Sequence, residues 1–296
     1  MKTESVNPEY RDLDQWPSAR ILAAITDSNR AAIEAVERAL PALTEAADRM
    51  TELVGRGGRI VYLGAGTSGR LAMQDAAELP PTFGFDRTVV LMAGGSSAGE
   101  RAREGAEDDA AMARSEIRAA GIGPGDSVIG LAASGRTPYT VAGTQLAREL
   151  GALTIGIANN EGSALLEAAE VPVLLATGPE VLAGSTRLGA GTAQKVALGA
   201  LSTTVLTRLG GAYGNLMVGM KPANEKLRIR AASIIAEATG ATPELAGARL
   251  EEAGWDIRTA IVMIRAQVGS ARARELLDAA GNNVRKALAA AGANPG

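Results

Sequence analysis

Apolar residues along residues 18–54 recur at steps of three and four, a spacing that predicts helix. The stripe they form consists of Ile33, Val36, Leu40, Leu43, Ala47, Met50 and Leu53. Pro41 falls within this stripe, so we expect the helix to kink or break there. The residues GRGG at 55–58 then end the helical pattern.

The middle of the chain instead contains short apolar runs that are continuous rather than alternating, which is typical of parallel strands buried on both faces. These runs lie at 59–66, 87–95, 126–135, 153–160 and 171–178. Helical stretches at 98–120 and 138–150 separate some of them. The pattern predicts an α/β fold with a doubly wound, mostly parallel five-stranded sheet, in which ligands bind at the carboxyl ends of the strands.

Beyond residues 214–227 the pattern is helical to the end of the sequence. Residues 242–267 predict two short helices joined at Gly254, with Thr242 capping the first and Pro243 in its first turn. We therefore expect an N-terminal helical segment, a sheet domain and a C-terminal helical bundle, at 1–54, 55–227 and 228–296.

Composition narrows the possible partners. The chain has 296 residues, and its net charge of −3 and aromatic content of 3% argue against a nucleic-acid surface. Charged residues interrupt the apolar runs well short of membrane-spanning length. The first 17 residues are polar and contain no apolar signal-peptide core, so we expect a cytoplasmic protein without membrane association.

The sequence contains neither cysteine nor histidine. This excludes thiolate nucleophiles, zinc–sulfur sites and the Ser-His-Asp triad. If the protein is an enzyme, its protons must move through Glu, Asp, Lys, Tyr or water.

The segment GAGTSG at 64–69 matches the dinucleotide fingerprint G-x-G-x-x-G. That fingerprint requires an acidic residue at the end of the second strand, and here the second strand ends LMAGGSS. The segment GAGTAQK at 189–195 also lacks the glycine and hydroxyl of a P-loop. Neither nucleotide motif is supported.

Three stretches rich in glycine and hydroxyl residues remain, and two of them follow predicted strands. Helix N-termini carry unpaired N–H groups and a partial positive charge, which suit a phosphate group. A single such loop is better explained by helix capping. Several loops converging on one sheet edge favour a phosphate site, with Gly66, Thr67, Ser68, Gly69, Ser134, Gly135, Arg136, Thr137, Ser185 and Lys195 as its candidates.

Several motifs, in order along nearly the whole chain, resemble the N-acetylmuramic acid 6-phosphate etherase family of the sugar isomerase (SIS) superfamily. They are TESVNP, YLGAGTSGRLAMQDAAELPPTFG, EGAEDD, AASGRTPY, GSTRLGAGTAQK, YGNLMV, NEKL and GWDIRTAIVM. The sequence departs from the family pattern at Gly189, Gly219, Ala223 and the Asn282–Asn283 pair, where relatives usually carry Lys, Asp, Thr and Gly-Gly. The C-terminal helices resemble a ubiquitin-associated (UBA) bundle.

The resemblance implies a carbon–oxygen lyase that cleaves the D-lactyl ether of N-acetylmuramic acid 6-phosphate during recycling of cell-wall muropeptides. It also implies a homodimer with its site near the subunit interface and no metal or other cofactor. The two catalytic glutamates of the family fall on Glu78 and Glu107. We take Glu107 as the base and Glu78 as the proton donor, and the reverse division stays open.

Glu78 lies ten residues past Ser68, which is about 15 Å along a straight helix. We therefore predict that Glu78 acts in a site shared with the neighbouring subunit, or that the chain folds back between these residues. Two alternative functions remain. One is a sugar-phosphate sensor similar to the glucokinase regulatory protein, and the other is an aldose–ketose isomerase, which often uses a histidine.

Overall fold

The computed structural model describes residues 1–99 and 105–294. By internal contacts these residues divide into two compact units. The first comprises Met1–Ala76 and Arg87–Ser202, and the second comprises Ala77–Asp86 and Thr203–Gly296. The N-terminal helices thus share a unit with the sheet. Our division into three domains stays a prediction.

The sheet of the first unit has five strands within the described residues, all parallel, in the order β2-β1-β3-β4-β5. The strands are β1 (Ile60–Gly64), β2 (Thr88–Met92), β3 (Ser127–Ala132), β4 (Leu153–Ala158) and β5 (Val171–Leu174). Each strand lies within a predicted apolar run. Every residue of β1, β3 and β4 is buried, as expected of strands covered on both faces.

Helices cover both faces of the sheet, which confirms the doubly wound α/β prediction. The helices between Ser18 and Leu206 are α1 (Ser18–Arg38), α2 (Leu40–Gly55), α3 (Gly66–Phe83), α4 (Ala110–Ala119), α5 (Pro138–Glu149), α6 (Ala164–Ala168) and α7 (Gly189–Leu206). The break between α1 and α2 falls at Ala39, and Pro41 stands in the first turn of α2, as its position predicted.

The predicted helix at 98–120 includes residues 100–104, which lie outside the described residues. Of the described residues in this range, only those of α4 are α-helical, and short 3-10 turns at Ser96–Gly99 and Ala106–Asp108 precede it. Asp109 ends the turn and caps α4 by accepting a hydrogen bond from the Met112 amide at 2.8 Å. The acidic run at 107–109 is therefore a turn with a helix cap, whereas we had placed Glu107 on a helix.

Side chains alternate across β1 and fix the helices on both of its faces. Val61 and Leu63 pack with Tyr139 of α5 in one apolar cluster. Tyr62, between them, donates its hydroxyl to Asp75 of α3 at 2.7 Å. Burial raises the pKa of Tyr62 well above its usual value and the nearby Asp75 raises it further, so the hydroxyl stays protonated. This bond holds α3 on the strand that leads into it.

The second unit is a helical bundle with a two-stranded hairpin that the sequence pattern did not predict. Its elements are β6 (Ala212–Tyr213), β7 (Leu216–Met217), α8 (Glu225–Thr239), α9 (Pro243–Glu252), α10 (Ile257–Ala266), α11 (Ser270–Ala279) and α12 (Val284–Ala290). Thr242 caps α9 and Gly254 turns the chain with φ +66°, as predicted. Trp255 is half-buried and packs against the apolar core.

The Asn282–Asn283 pair, which stands where relatives usually carry Gly-Gly, forms the turn into α12. Asn282 adopts the left-handed backbone, with φ +60°. Asparagine tolerates this region better than other residues with a side chain. Asn283 then caps α12 by accepting a hydrogen bond from the Lys286 amide at 3.1 Å. This departure from the family pattern is therefore compatible with the same turn.

Candidate active site

A cleft of about 410 Å³ opens at the carboxyl ends of β1 and β3 in the first unit. The strand order reverses between these neighbours, and this is where open α/β sheets bind ligands. The volume falls in the range of small-molecule sites. The lining residues are Met1, Glu4, Ala65, Gly66, Thr67, Ser68, Glu107, Asp108, Ala132, Ala133, Ser134, Arg136, Thr137, Pro138 and Thr186.

The first loop enters the cleft where β1 turns into α3. Cβ atoms built at Gly64 and Gly69 would lie 3.0 Å from each other's backbone, so the loop packs closely on its helix. Gly66 adopts φ +53° and begins α3. Thr67 and Ser68 follow in the first turn, where backbone N–H groups have no partner within the helix. Ser68 is only 6% exposed and still lines the cleft.

The second loop follows β3 and contributes three side chains to the cleft, those of Ser134, Arg136 and Thr137. The Ser134 hydroxyl accepts the Arg136 amide at 3.1 Å, which closes a local turn. Thr137 precedes α5, but its side chain makes no capping hydrogen bond. The capping explanation therefore does not account for this hydroxyl. Among the lining residues that the structure describes, Arg136 is the only lysine or arginine.

Gly135 provides a test of how closely the second loop is packed. Its φ is +65°, and a Cβ there would lie 2.1 Å from the Ser163 hydroxyl. We expect Gly135→Ala to lower the free energy of unfolding by about 1–3 kcal/mol or more, because backbone strain and the clash add. Chemical denaturation measures this loss.

Gly178→Ala is the matched control, since Gly178 has φ +77° but open space around its Cβ position. The control should lose only about 1–2 kcal/mol, the cost of the left-handed backbone. Equal losses of unfolding free energy in the two variants would show that the contact with Ser163 does not contribute to the destabilisation.

The third hydroxyl-rich stretch, residues 184–195, contributes to the cleft a different residue from the two that we predicted. Glu180 is 2% exposed, and its carboxylate accepts the amides of Gly189 and Ala190 at 2.8 and 2.9 Å. The N-terminus of α7 is thus already occupied by an internal anion. Thr186 lines the cleft, whereas Ser185 and Lys195 do not.

Gly189, where relatives usually carry lysine, also adjoins Glu180. A Cβ at this position would lie 3.2 Å from a Glu180 carboxylate oxygen and 3.2 Å from the Ser28 hydroxyl. The space around Gly219 in the second unit is smaller, because a Cβ there would lie 2.3 Å from the Phe83 carbonyl oxygen. Nothing in the structure explains Ala223.

The cleft brings three carboxylates together with the hydroxyl loops, namely those of Glu4, Glu107 and Asp108. Glu107 and Asp108 come from the 3-10 turn before α4, and both are exposed. Glu4 was absent from our candidates although it belongs to the motif TESVNP, because nothing in that motif indicates that long-range contacts bring it to this cleft. Thr186 belongs to the motif GSTRLGAGTAQK, but only its neighbour Ser185 was among our candidates.

Glu78 is an exposed residue of the second unit, whereas every residue that lines the cleft belongs to the first. Helix α3 is continuous from Gly66 to Phe83. This removes the alternative that the chain folds back between Ser68 and Glu78. The site shared between subunits remains the prediction for this glutamate.

In residues 1–99 and 105–294, no three Asp or Glu side chains are arranged to hold a metal ion. Within the same ranges, no helix has both the length and the apolar character to cross a bilayer.

Comparison with known proteins identifies relatives across the whole chain. The sequence profile of the glucokinase regulatory protein N-terminal SIS domain matches residues 42–148, and that of the SIS domain matches residues 109–203. The N-acetylmuramic acid 6-phosphate etherase of Deinococcus radiodurans is 48% identical over 97% of this chain and 95% of its own.

Two further relatives carry the same name. That of Geobacillus thermodenitrificans is 45% identical over 97% of this chain and 98% of its own. That of Streptomyces coelicolor is 44% identical over 98% of this chain and 94% of its own.

Proposed function

The chain belongs to the N-acetylmuramic acid 6-phosphate etherase family, and from this premise we propose that it is the corresponding lyase. It cleaves the ether between D-lactate and C3 of the amino sugar, giving N-acetylglucosamine 6-phosphate and D-lactate, in the recycling of cell-wall muropeptides. The observation that carries the proposal is the 48% identity to an etherase over 97% of the chain.

The two hydroxyl loops and Arg136 bind the phosphate. The N-terminus of α3 supplies backbone N–H groups, while Thr67, Ser68, Ser134 and Thr137 supply hydroxyl donors. The Arg136 guanidinium supplies the charge-assisted hydrogen bonds that a phosphate dianion accepts. Of the other two candidates, Ser185 and Lys195, neither lines the cleft of this unit, and we propose no phosphate contact for them.

The reaction needs only groups that accept and donate protons. When the sugar ring opens, an aldehyde forms at C1 and acidifies the hydrogen on C2. Glu107 removes that proton, the C3–O bond breaks, and Glu78 protonates the departing ether oxygen, which leaves as D-lactate. Water then adds to C3 of the unsaturated aldehyde and gives its proton to Glu78, while Glu107 returns a proton to C2. A chain without histidine or cysteine can perform these steps.

Glu78 reaches the reaction from a neighbouring subunit in a homodimer. Helix α3 is continuous from Gly66 to Phe83, so Glu78 lies about 15 Å along it from Ser68. A second copy that supplies Glu78 is consistent with this separation. We further propose that the enzyme acts in the cytoplasm, without metal or other cofactor.

The two alternative functions are not favoured. The profile of the glucokinase regulatory protein matches residues 42–148 alone, whereas the etherases match 97% of the chain or more. The isomerase alternative has no such relative among the curated proteins described above. Incubation with N-acetylmuramic acid 6-phosphate and an enzymatic assay for D-lactate tests the proposal. Absence of lactate release by the wild-type protein would contradict the proposal.

Arg136 should contribute mainly to binding. We expect Arg136→Gln to raise KM roughly tenfold to a hundredfold, since charge-assisted hydrogen bonds contribute about 1.5–3 kcal/mol. Steady-state kinetics and calorimetry with N-acetylglucosamine 6-phosphate measure the effect. Arg118→Gln, at an exposed position on α4, is the control. An equal rise in KM in both variants, or no rise in Arg136→Gln, would contradict this role.

A further inference from the structure

The third carboxylate of the cleft comes from the N-terminal strap, which we define as residues 1–4. Glu4 lines the cleft beside the two hydroxyl loops. Among the described lining residues, it is the one carboxylate that does not come from the turn holding Glu107 and Asp108. It therefore approaches a bound sugar from a separate element.

Buried hydrogen bonds fix the strap in place. Thr3 is fully buried, and its amide donates to the Asn160 side-chain oxygen at 3.3 Å. The Asn160 side-chain nitrogen donates to the Thr3 hydroxyl and to the Ala133 carbonyl, both at 2.9 Å. The Gly184 amide donates to the Thr3 carbonyl at 3.3 Å. Asn160 thus ties the strap directly to the loop that follows β3.

The charges in the cleft determine which part of the ligand Glu4 meets. A phosphate dianion is drawn to the hydroxyls, the α3 N-terminus and Arg136, and carboxylates repel it. The lactyl carboxylate of the substrate is repelled in the same way, so Glu4, Glu107 and Asp108 must face the uncharged part of the sugar ring. A carboxylate there accepts hydrogen bonds from hydroxyl groups and takes protons from them.

The proposed reaction has one step for which neither Glu78 nor Glu107 provides a group, and this is the opening of the ring. We propose that Glu4 is the catalytic residue of that step, an inference that rests on the proposed function. The Glu4 carboxylate takes the proton of the C1 hydroxyl, and that O–H electron pair forms the aldehyde C=O. The C1–O5 bond breaks, O5 takes a proton from a water molecule, and that water takes the proton from Glu4, which restores the carboxylate. Glu107 then acts on C2.

The test separates ring opening from proton removal at C2 by means of substrate deuterated at C2. In Glu4→Gln we expect kcat for lactate release to fall roughly 10²-fold, the lower range for general acid–base catalysis. Ring opening then limits the rate, and the deuterium isotope effect lies near unity. In Glu107→Gln proton removal limits the rate, so residual turnover shows a primary isotope effect.

Two controls test whether the loss of activity is due specifically to the Glu4 carboxylate. Glu9→Gln changes an exposed glutamate of the same N-terminal region outside the cleft, and it should keep wild-type kcat. Binding of N-acetylglucosamine 6-phosphate to Glu4→Gln, measured by calorimetry, should stay within a few-fold of wild type. Such binding shows that the cleft is intact.

Three outcomes would overturn the inference. They are full activity in Glu4→Gln, loss of product binding in that variant, and an isotope effect as large as that of Glu107→Gln. Absence of lactate release by the wild-type enzyme would instead contradict the proposed function, and it is observed before any variant is compared.

Discussion

Replacing Glu107 by glutamine is expected to lower D-lactate release by roughly 10²- to 10⁴-fold, the contribution of a positioned acid–base group. Glutamine has nearly the same shape but cannot accept the C2 proton. Because Glu107 is exposed in a short turn, the substitution should leave the fold unchanged. Binding of N-acetylglucosamine 6-phosphate should also persist, since the phosphate is held by the hydroxyl loops.

Hydrogen exchange provides a second readout for Glu107. In heavy water the wild-type enzyme should exchange the C2 hydrogen of N-acetylglucosamine 6-phosphate, because the reverse reaction uses the same base. Glu107→Gln should not, as nuclear magnetic resonance would show. Glu149→Gln, at an exposed position on α5, is the control and should behave as wild type. Unaltered exchange in Glu107→Gln would assign the base to another residue.

Glu78→Gln is expected to lower lactate release by a similar factor, and mixing it with Glu107→Gln should restore activity. In a mixed dimer with shared sites, one site combines the intact Glu107 of one subunit with the intact Glu78 of the other. Random exchange makes half of the dimers mixed, each with one intact site, so about a quarter of wild-type activity should return.

The mixing experiment also has a clear negative result. If both glutamates of a site belonged to one chain, every site in the mixture would lack one of them and no activity would return. Subunit exchange, followed by mass spectrometry of an isotope-labelled variant, is the control. Subunit exchange without recovery of activity would contradict a site shared between the subunits.

The parts of the fold that depend on local sequence were predicted well. The continuous apolar runs located all five strands of the sheet, because strands buried on both faces leave no polar alternation. Pro41, Thr242 and Gly254 marked helix ends through effects that act within one turn. The two Ser-Gly loops were placed at one sheet edge because parallel strands end there together.

Features that depend on distant residues could not be predicted from the sequence. Glu180 accepts the first amide of α7 from nine residues away, a contact that no local pattern indicates. Asn160 binds Thr3 across 157 positions and thereby brings Glu4 to the cleft. The stretch 98–120 was predicted as helical, whereas among its described residues α4 begins only after Asp109, which caps it.

The central claim is elimination of lactate from C3 followed by addition of water, and turnover in water labelled with heavy oxygen tests it most directly. The account predicts that the label enters the C3 hydroxyl of N-acetylglucosamine 6-phosphate and that the D-lactate stays unlabelled, because its ether oxygen leaves with it. Label in the lactate and none in the sugar would show cleavage on the other side of the ether oxygen and contradict the mechanism.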